Sequence, residues 1–221
     1  MNLSDLAAKG AEPVGVLLSH MLGEDDARFL EGLAEVLAAY DVRLLGGDTV
    51  AAEGRRVWGC TAIGRATHTP VPDRRGARPG DALYVTGSLG EAMLGFEGVP
   101  GFAARYLRPE PRLAEGRALA PQVGAMMDVS DGLLLDAWRM ATASGTRFEI
   151  EAAHVPVADT ARRGECLRWG DDYELLFTAP ADVALPVDAA RIGRVSHGPG
   201  GSLLLDGEAL SPEDGLGYRH G

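Results

Sequence analysis

Along most of its length the chain alternates apolar runs of strand length with stretches of helical period. That alternation restricts it to a layered α/β or α+β fold. Pro13 to Met21 is β-branched and apolar and reads as a buried strand. Glu24 to Tyr40 then reads as an amphipathic helix with Phe29, Leu30, Leu33, Val36 and Leu37 on one face. Further strands are predicted at Val42 to Leu45, Val57 to Ile63, Asp81 to Thr86, Met126 to Asp128, Arg147 to Ile150, Arg191 to Val195 and Ser202 to Leu205. Leu3, Leu6 and Ala7 have helical spacing, with Asn2 or Ser4 available as a cap and Gly10 as a stop. Phe102 to Leu107 and Arg112 to Ala120 are helical, separated by Pro109 and Pro111. The 221 residues suit one large domain or two small ones. The Pro-, Gly- and Arg-rich stretch from His68 to Gly80 is the best boundary, giving domains 1–72 and 73–221.

The net charge of −11 argues against non-specific nucleic-acid binding and against an anionic membrane surface, but not against a nucleotide carried with metal ions. Lys9 is the only lysine, so a mechanism that needs one has a single candidate. Cys60 and Cys166 are far apart and form no CxxC pattern, which disfavours structural zinc and fits a reduced, cytoplasmic setting. No apolar run reaches membrane-spanning length, and Met1 to Asp5 lacks the pattern of a signal peptide.

Chemistry concentrates at Met126-Met127-Asp128-Val129-Ser130-Asp131-Gly132-Leu133, a strand running into a helix that should reach about Ser144 and stop at Gly145. Ser130 suits the N-cap and Asp131 the first turn. Asp128 and Asp131 can then face one point, as hard oxygen ligands for Mg²⁺ do. The alternative is a capped helix with solvated acids. Gly46-Gly47-Asp48-Thr49 reads as a tight turn that brings backbone and hard oxygens close to a ligand, or as a plain Gly-Asp turn. Val85-Thr86-Gly87-Ser88-Leu89-Gly90 looks like a strand–glycine–helix phosphate turn, although it lacks the third glycine of a dinucleotide fingerprint. Trp169 to Thr178 joins the acidic turn Gly170-Asp171-Asp172 to a strand with Tyr173, Leu175 and Phe177 in alternation. There is no GxxxxGK[ST] loop, so an ATP-handling chain of this kind would neutralise phosphates with carboxylate-bound Mg²⁺ and arginine.

Six motifs occur in order: Asn2-Leu3-Ser4-Asp5-Leu6-Ala7-Ala8, Gly46-Gly47-Asp48-Thr49, Gly76-Ala77-Arg78-Pro79-Gly80-Asp81, Val85-Thr86-Gly87, Asp128-Val129-Ser130-Asp131-Gly132-Leu133 and Gly170-Asp171-Asp172-Tyr173-Glu174-Leu175. Together with the closing Gly217-Tyr218-Arg219-His220 they resemble the thiamine-monophosphate kinase family, within the superfamily of aminoimidazole ribonucleotide synthetase and selenophosphate synthetase. The resemblance implies a two-domain α/β (α+β) fold whose N-terminal domain binds ATP and Mg²⁺ and dimerises. It implies transfer of the γ-phosphoryl group of ATP to thiamine monophosphate by direct in-line displacement. Asp5, Asp48, Asp128 and Asp131 would hold several Mg²⁺ ions. Gly47, Asp48, Arg74 and Ser130 would contact ATP. Asp172 or Glu174, with Tyr218, would contact the thiamine part, and no residue stands out as a general base. The partners implied are ATP, thiamine monophosphate and a second copy of the chain. The family also implies a further acidic segment before Asn2, so the N-terminal domain is expected to be incomplete here.

Two other readings belong beside this one. One keeps the superfamily and changes the acceptor to a purine-pathway ribonucleotide or selenide. The aromatic C-terminus and the Gly170 to Leu175 motif favour thiamine phosphate, and no reactive cysteine lies near the start. The other is a non-catalytic dimerising module.

Overall fold

The computed structural model describes residues 1–219; His220, in the closing motif, lies outside them. The chain divides into two compact units: a smaller one of Glu12–Arg65 with Asn2, and a larger one of Met1, Leu3–Ala11 and Ala66 onward.

The smaller unit holds strand β1 (Ala11–Met21), helix α2 (Asp26–Ala39), β2 (Arg43–Val50) and β3 (Trp58–Ala66) in a sheet of order β2-β1-β3. β1 and β2 are parallel, and the register shifts at Val16/Leu17, beside Leu45. Gly46-Gly47-Asp48-Thr49 is therefore not a turn after a short strand. It is the second half of β2, paired with Leu17, Leu18, Ser19 and His20. The glycines are needed because both have positive φ, 151° and 154°, and a Cβ on Gly47 would fall 1.8 Å from the Leu18 carbonyl oxygen.

The predicted apolar face of α2 is present but uncovered. Phe29, Leu33 and Leu37 are half-buried, and Leu30 and Val36 are exposed. One helix and three strands offer little surface to pack against. At the start of α2, Glu24 and Asp25 are exposed and Asp26 is half-buried. Asp26 accepts from the Gly23 amide (3.0 Å), bonds His20 (3.0 Å) and pairs with Arg56, tying the end of β1 to the starts of α2 and β3.

The larger unit is built on a seven-stranded sheet of order β10-β9-β6-β8-β4-β7-β5. Its strands are β4 (Asp81–Val85), β5 (Met126–Asp128), β6 (Arg147–Ile150), β7 (Leu175–Pro180), β8 (Ala190–Ser196), β9 (Ser202–Leu205) and β10 (Glu208–Leu210). All pairings are antiparallel except β6 with β9. Helix α6 (Leu133–Ser144) lays Leu133, Leu134, Ala137, Met140 and Ala141 on one face of the sheet, against Leu83, Val85, Met127, Phe148, Leu176 and Ile192.

The strands β4 and β7 are apolar on both sides. Their other face carries the stacked pair Tyr84 and Phe177, with ring centroids 5.3 Å apart. Helix α1 (Asn2–Ala7) and the turn after it approach α5 (Leu113–Leu119) and its end closely at two glycines. A Cβ on Gly116 would fall 2.0 Å from the Ala7 carbonyl oxygen, and one on Gly10 would fall 2.4 Å from Ala120. Neither Asn2 nor Ser4 caps α1. Three further helices complete this unit: α3 (Glu91–Phe96), α4 (Ala103–Leu107) and α7 (Arg163–Trp169).

Candidate active site

Alternation along β5 decides where its carboxylate points. Met127 enters the core under α6, so Asp128 belongs to the opposite face with Met126. There the Ser4 hydroxyl donates to Asp128 at 2.6 Å, which fixes α1 and its exposed neighbour Asp5 beside the strand end. Asp128 is buried, and that burial, with the Asp5 charge adding to it, raises its carboxyl above the usual range. Lys9, in the turn after α1, is half-buried. Its ammonium is lowered by that burial and feels the charges of Asp73, Arg74, Asp128 and Asp5. Arg74 is exposed, and its carbonyl accepts the Ser144 hydroxyl at 2.9 Å.

After β5 the chain does not enter the helix at once. Ser130 and Asp131 lie in a loop, and α6 starts only at Leu133, behind Gly132 at φ 111°. Ser130 is not the cap, and Asp131 is not in the first turn. The role falls to Asp136, inside the helix and fully buried. Its Oδ2 accepts the amides of both Ser130 and Asp131 at 3.0 Å. A buried carboxylate taking two amides and an arginine outcompetes a single hydroxyl cap. Burial still pushes the Asp136 carboxyl up to about 6.

Two other motifs close on this loop. The Asp171 amide donates to the Ser130 carbonyl (2.9 Å), the Tyr173 amide to Val129 (2.9 Å) and the Val129 amide to Glu174 (2.8 Å). The Tyr218 amide donates to the Asp131 carbonyl at 2.9 Å. Gly170 and Gly217 permit these approaches, since Cβ atoms there would fall 2.5 Å and 2.1 Å from the Ser130 and Asp131 carbonyl oxygens. Asp171 and Tyr173 adopt left-handed backbone, and the Tyr173 hydroxyl donates to Asp171 at 3.0 Å.

Beside the loop is a cavity of about 530 Å³, lined by Met1, Phe96, Tyr106, Ser130, Asp131, Trp169, Asp171, Tyr173 and Tyr218. Phe96, at the end of α3, meets Tyr106 of α4 edge-on and Trp169 at the end of α7 at a tilt, both with centroids 5.3 Å away. The sequence reading included Ser130, Asp131 and Tyr218. It missed Phe96 and Tyr106, because an exposed aromatic near a helix end leaves no mark in hydrophobic periodicity; Trp169 lines the cavity and also packs against Met93, Leu94 and Cys166.

Asp172 and Glu174 are set differently. Asp172 accepts the Gly90 amide at 3.0 Å and the Ala92 amide at 3.4 Å, so the chain's own carboxylate fills the strand–glycine–helix turn that reads as a phosphate site. Burial raises the Asp172 carboxyl to about 7, with Glu174 and Glu91 adding to the effect. Glu174 is buried, accepts the Thr86 hydroxyl (2.6 Å) and forms a two-point pair with Arg112 (Nε to Oε2, 2.8 Å). Gly47 and Asp48 belong to the smaller unit, where Asp48 is exposed and takes the Thr49 amide at 2.9 Å. Among the described residues no three acidic, histidine or cysteine side chains gather around one point. The carboxylates present suit a cation that draws its remaining ligands from phosphate and water, as Mg²⁺ does, rather than an all-protein cage.

Residues 1–66 match the model of the AIR synthase related protein N-terminal domain, and residues 78–206 match that of the C-terminal domain. The thiamine-monophosphate kinase of Caulobacter vibrioides is 36% identical over the whole of this chain and 72% of its own length. That of Escherichia coli K12 is 34% identical over the whole chain and 77% of its own length. This chain belongs to the thiamine-monophosphate kinase family.

Solved structures of the family agree with its fold. The kinase of Stenotrophomonas maltophilia K279a superposes with a TM-score of 0.83 at 34% identity, over 95% of this chain and 77% of its own. The structure of AaThiL complexed with AMPPCP and TMP gives 0.84 at 29% identity, over the whole chain and 77% of its own. The hydrogenase maturation protein HypE, at 19% identity and a TM-score of 0.76, shares the fold alone. The motifs that carried the resemblance thus identified the family and its mixed α/β architecture. No helix among the described residues is long and apolar enough to cross a membrane.

Proposed function

We propose that this chain is a thiamine-monophosphate kinase, transferring the γ-phosphoryl group of ATP in line to the phosphate of thiamine monophosphate and releasing thiamine diphosphate and ADP. The observation that carries the reading is the cavity itself: an aromatic wall on one side and the Ser130–Asp131 loop on the other. Thiamine joins a cationic ring and a flat aromatic ring to a phosphate. Phe96, Tyr106, Trp169 and Tyr218 suit the rings through stacking and cation–π attraction. The phosphate would then lie toward the loop.

Asp5, Asp128 and Asp131 in the larger unit, and Asp48 in the smaller, are the proposed Mg²⁺ ligands. When bound, Mg²⁺ would neutralise the charge of the phosphates. Ser130 and Gly47 would contact ATP, and Arg74 and Lys9 would offset its charge. Asp172 and Glu174 would act through the walls of the thiamine site, one fixing α3 and the other tying Thr86 to Arg112. The transfer rests on positioning, and the acceptor phosphate is largely ionised at neutral pH, so no general base is required. The apolar residues left exposed on the three-stranded sheet, Leu44, Leu45, Val50 and Ile63 among them, support the homodimer.

Binding of both substrates tests the reading. Thiamine monophosphate should quench the fluorescence of Trp169, and a non-hydrolysable ATP analogue should bind only with Mg²⁺ and at the same time. Phe96→Ala and Tyr218→Ala should each weaken thiamine monophosphate about tenfold and leave the analogue's affinity unchanged. Competition between the two ligands for one site would overturn it.

A further inference from the structure

The loop that carries Ser130 and Asp131 is held by a residue with no place in the reaction as described above. Asp136 lies one turn into α6 with no exposed surface, and one of its oxygens accepts the amides of Ser130 and Asp131 together. Its other oxygen takes Arg139 at 2.9 Å, and the same guanidinium also pairs with the Asp131 carboxylate. A fully buried carboxylate is costly, even in the first turn of a helix, where the dipole favours negative charge. Leu135 and Ala137 on either side are buried and apolar, so packing alone would favour an apolar residue here. What Asp136 adds is geometry. Two successive amides directed to one oxygen fix the backbone of Ser130 and Asp131, and Arg139 links that anchor to the side chain of Asp131.

We propose that Asp136 is a positioning residue: it fixes the loop so that Ser130 and Asp131 meet the metal-bound nucleotide in a preset arrangement, with Arg139 as its counter-charge. This rests on the kinase reading. It predicts that Asp136 controls nucleotide binding without touching the nucleotide.

The test compares the full chain with Asp136→Ala, which removes the acceptor, and Asp136→Asn, which keeps an oxygen of the same shape. Amide exchange at Ser130 and Asp131 is measured together with the affinity for Mn²⁺ and a non-hydrolysable ATP analogue. In Asp136→Ala the two amides should exchange at least tenfold faster while the sheet stays protected. Mn²⁺–nucleotide binding should weaken at least tenfold, and Asp136→Asn should recover most of both losses. Should Asp136→Ala fail to fold, Asp136→Leu fills the space without an acceptor and carries the same expectation. Faster exchange at the two amides with unchanged Mn²⁺–nucleotide affinity would overturn the positioning role alone. If the unmodified chain binds no Mn²⁺–nucleotide, the kinase reading fails and takes this role with it.

Discussion

Gly47 and Asp172 show how single residues are fixed by what lies across from them. A side chain on Gly47 collides with the backbone of β1, whereas one on Gly46 meets nothing nearer than Leu17 at 3.9 Å. Both substitutions strain a positive φ, but only Gly47→Ala must also push two paired strands apart. It should cost about 2–4 kcal/mol and Gly46→Ala distinctly less, read from urea midpoints. Asp172 leads to a pH dependence. Its carboxyl is raised to about 7 in the folded chain, mainly by burial, against an ordinary value near 3.8. Between those values the folded state holds a proton that the unfolded state has released. Asp172 therefore makes stability fall as pH rises from about 4 to about 7, and it adds no further slope above that. Asp172→Asn should flatten this part of the profile by on the order of 2 kcal/mol, measured as unfolding free energy at pH 5 and pH 8.

Secondary elements were mostly legible because their residues repeat with the period of the structure they form. The strands of the larger unit and the helices around Pro109 and Pro111 follow apolar pattern and breakers. Asp136, which replaced Ser130 as the anchor of the loop before α6, is only five and six residues from the amides it takes. Two of the departures share one cause, a partner far along the chain: Asp172 filled the turn before α3, and β1 drew Gly46 to Thr49 into a strand. Neither partner can be read from the neighbours of the residue concerned. The same holds for the Glu174–Arg112 pair, which joins β7 to the start of α5. Removing the guanidinium leaves a buried carboxylate with only the Thr86 hydroxyl. Arg112→Ala should cost about 3 kcal/mol in thermal or urea unfolding, and Glu174→Gln in the same background should recover part of it.

At the scale of the larger unit, three of the sequence motifs turn out to be neighbours in space. Asp128 to Leu133, Gly170 to Leu175 and Gly217-Tyr218 interlock through backbone bonds around one cavity. Recognising these three motifs therefore pointed to one cavity, while its aromatic wall, with Phe96, Tyr106 and Trp169 from three separate helices, had no sequence pattern of its own. The smaller unit exposes apolar residues on its sheet and helix. Sedimentation should accordingly find a dimer, and Ile63→Lys with Leu44→Lys should shift it to monomer. The central claim is the reaction, and transfer of label from γ-³²P-ATP tests it most directly. With Mg²⁺ and thiamine monophosphate, the label should appear in thiamine diphosphate with one ADP formed per product, and Asp131→Asn should lower the rate at least a hundredfold. Label that stays in ATP or appears only as inorganic phosphate, from a folded chain with both substrates present, would contradict the account.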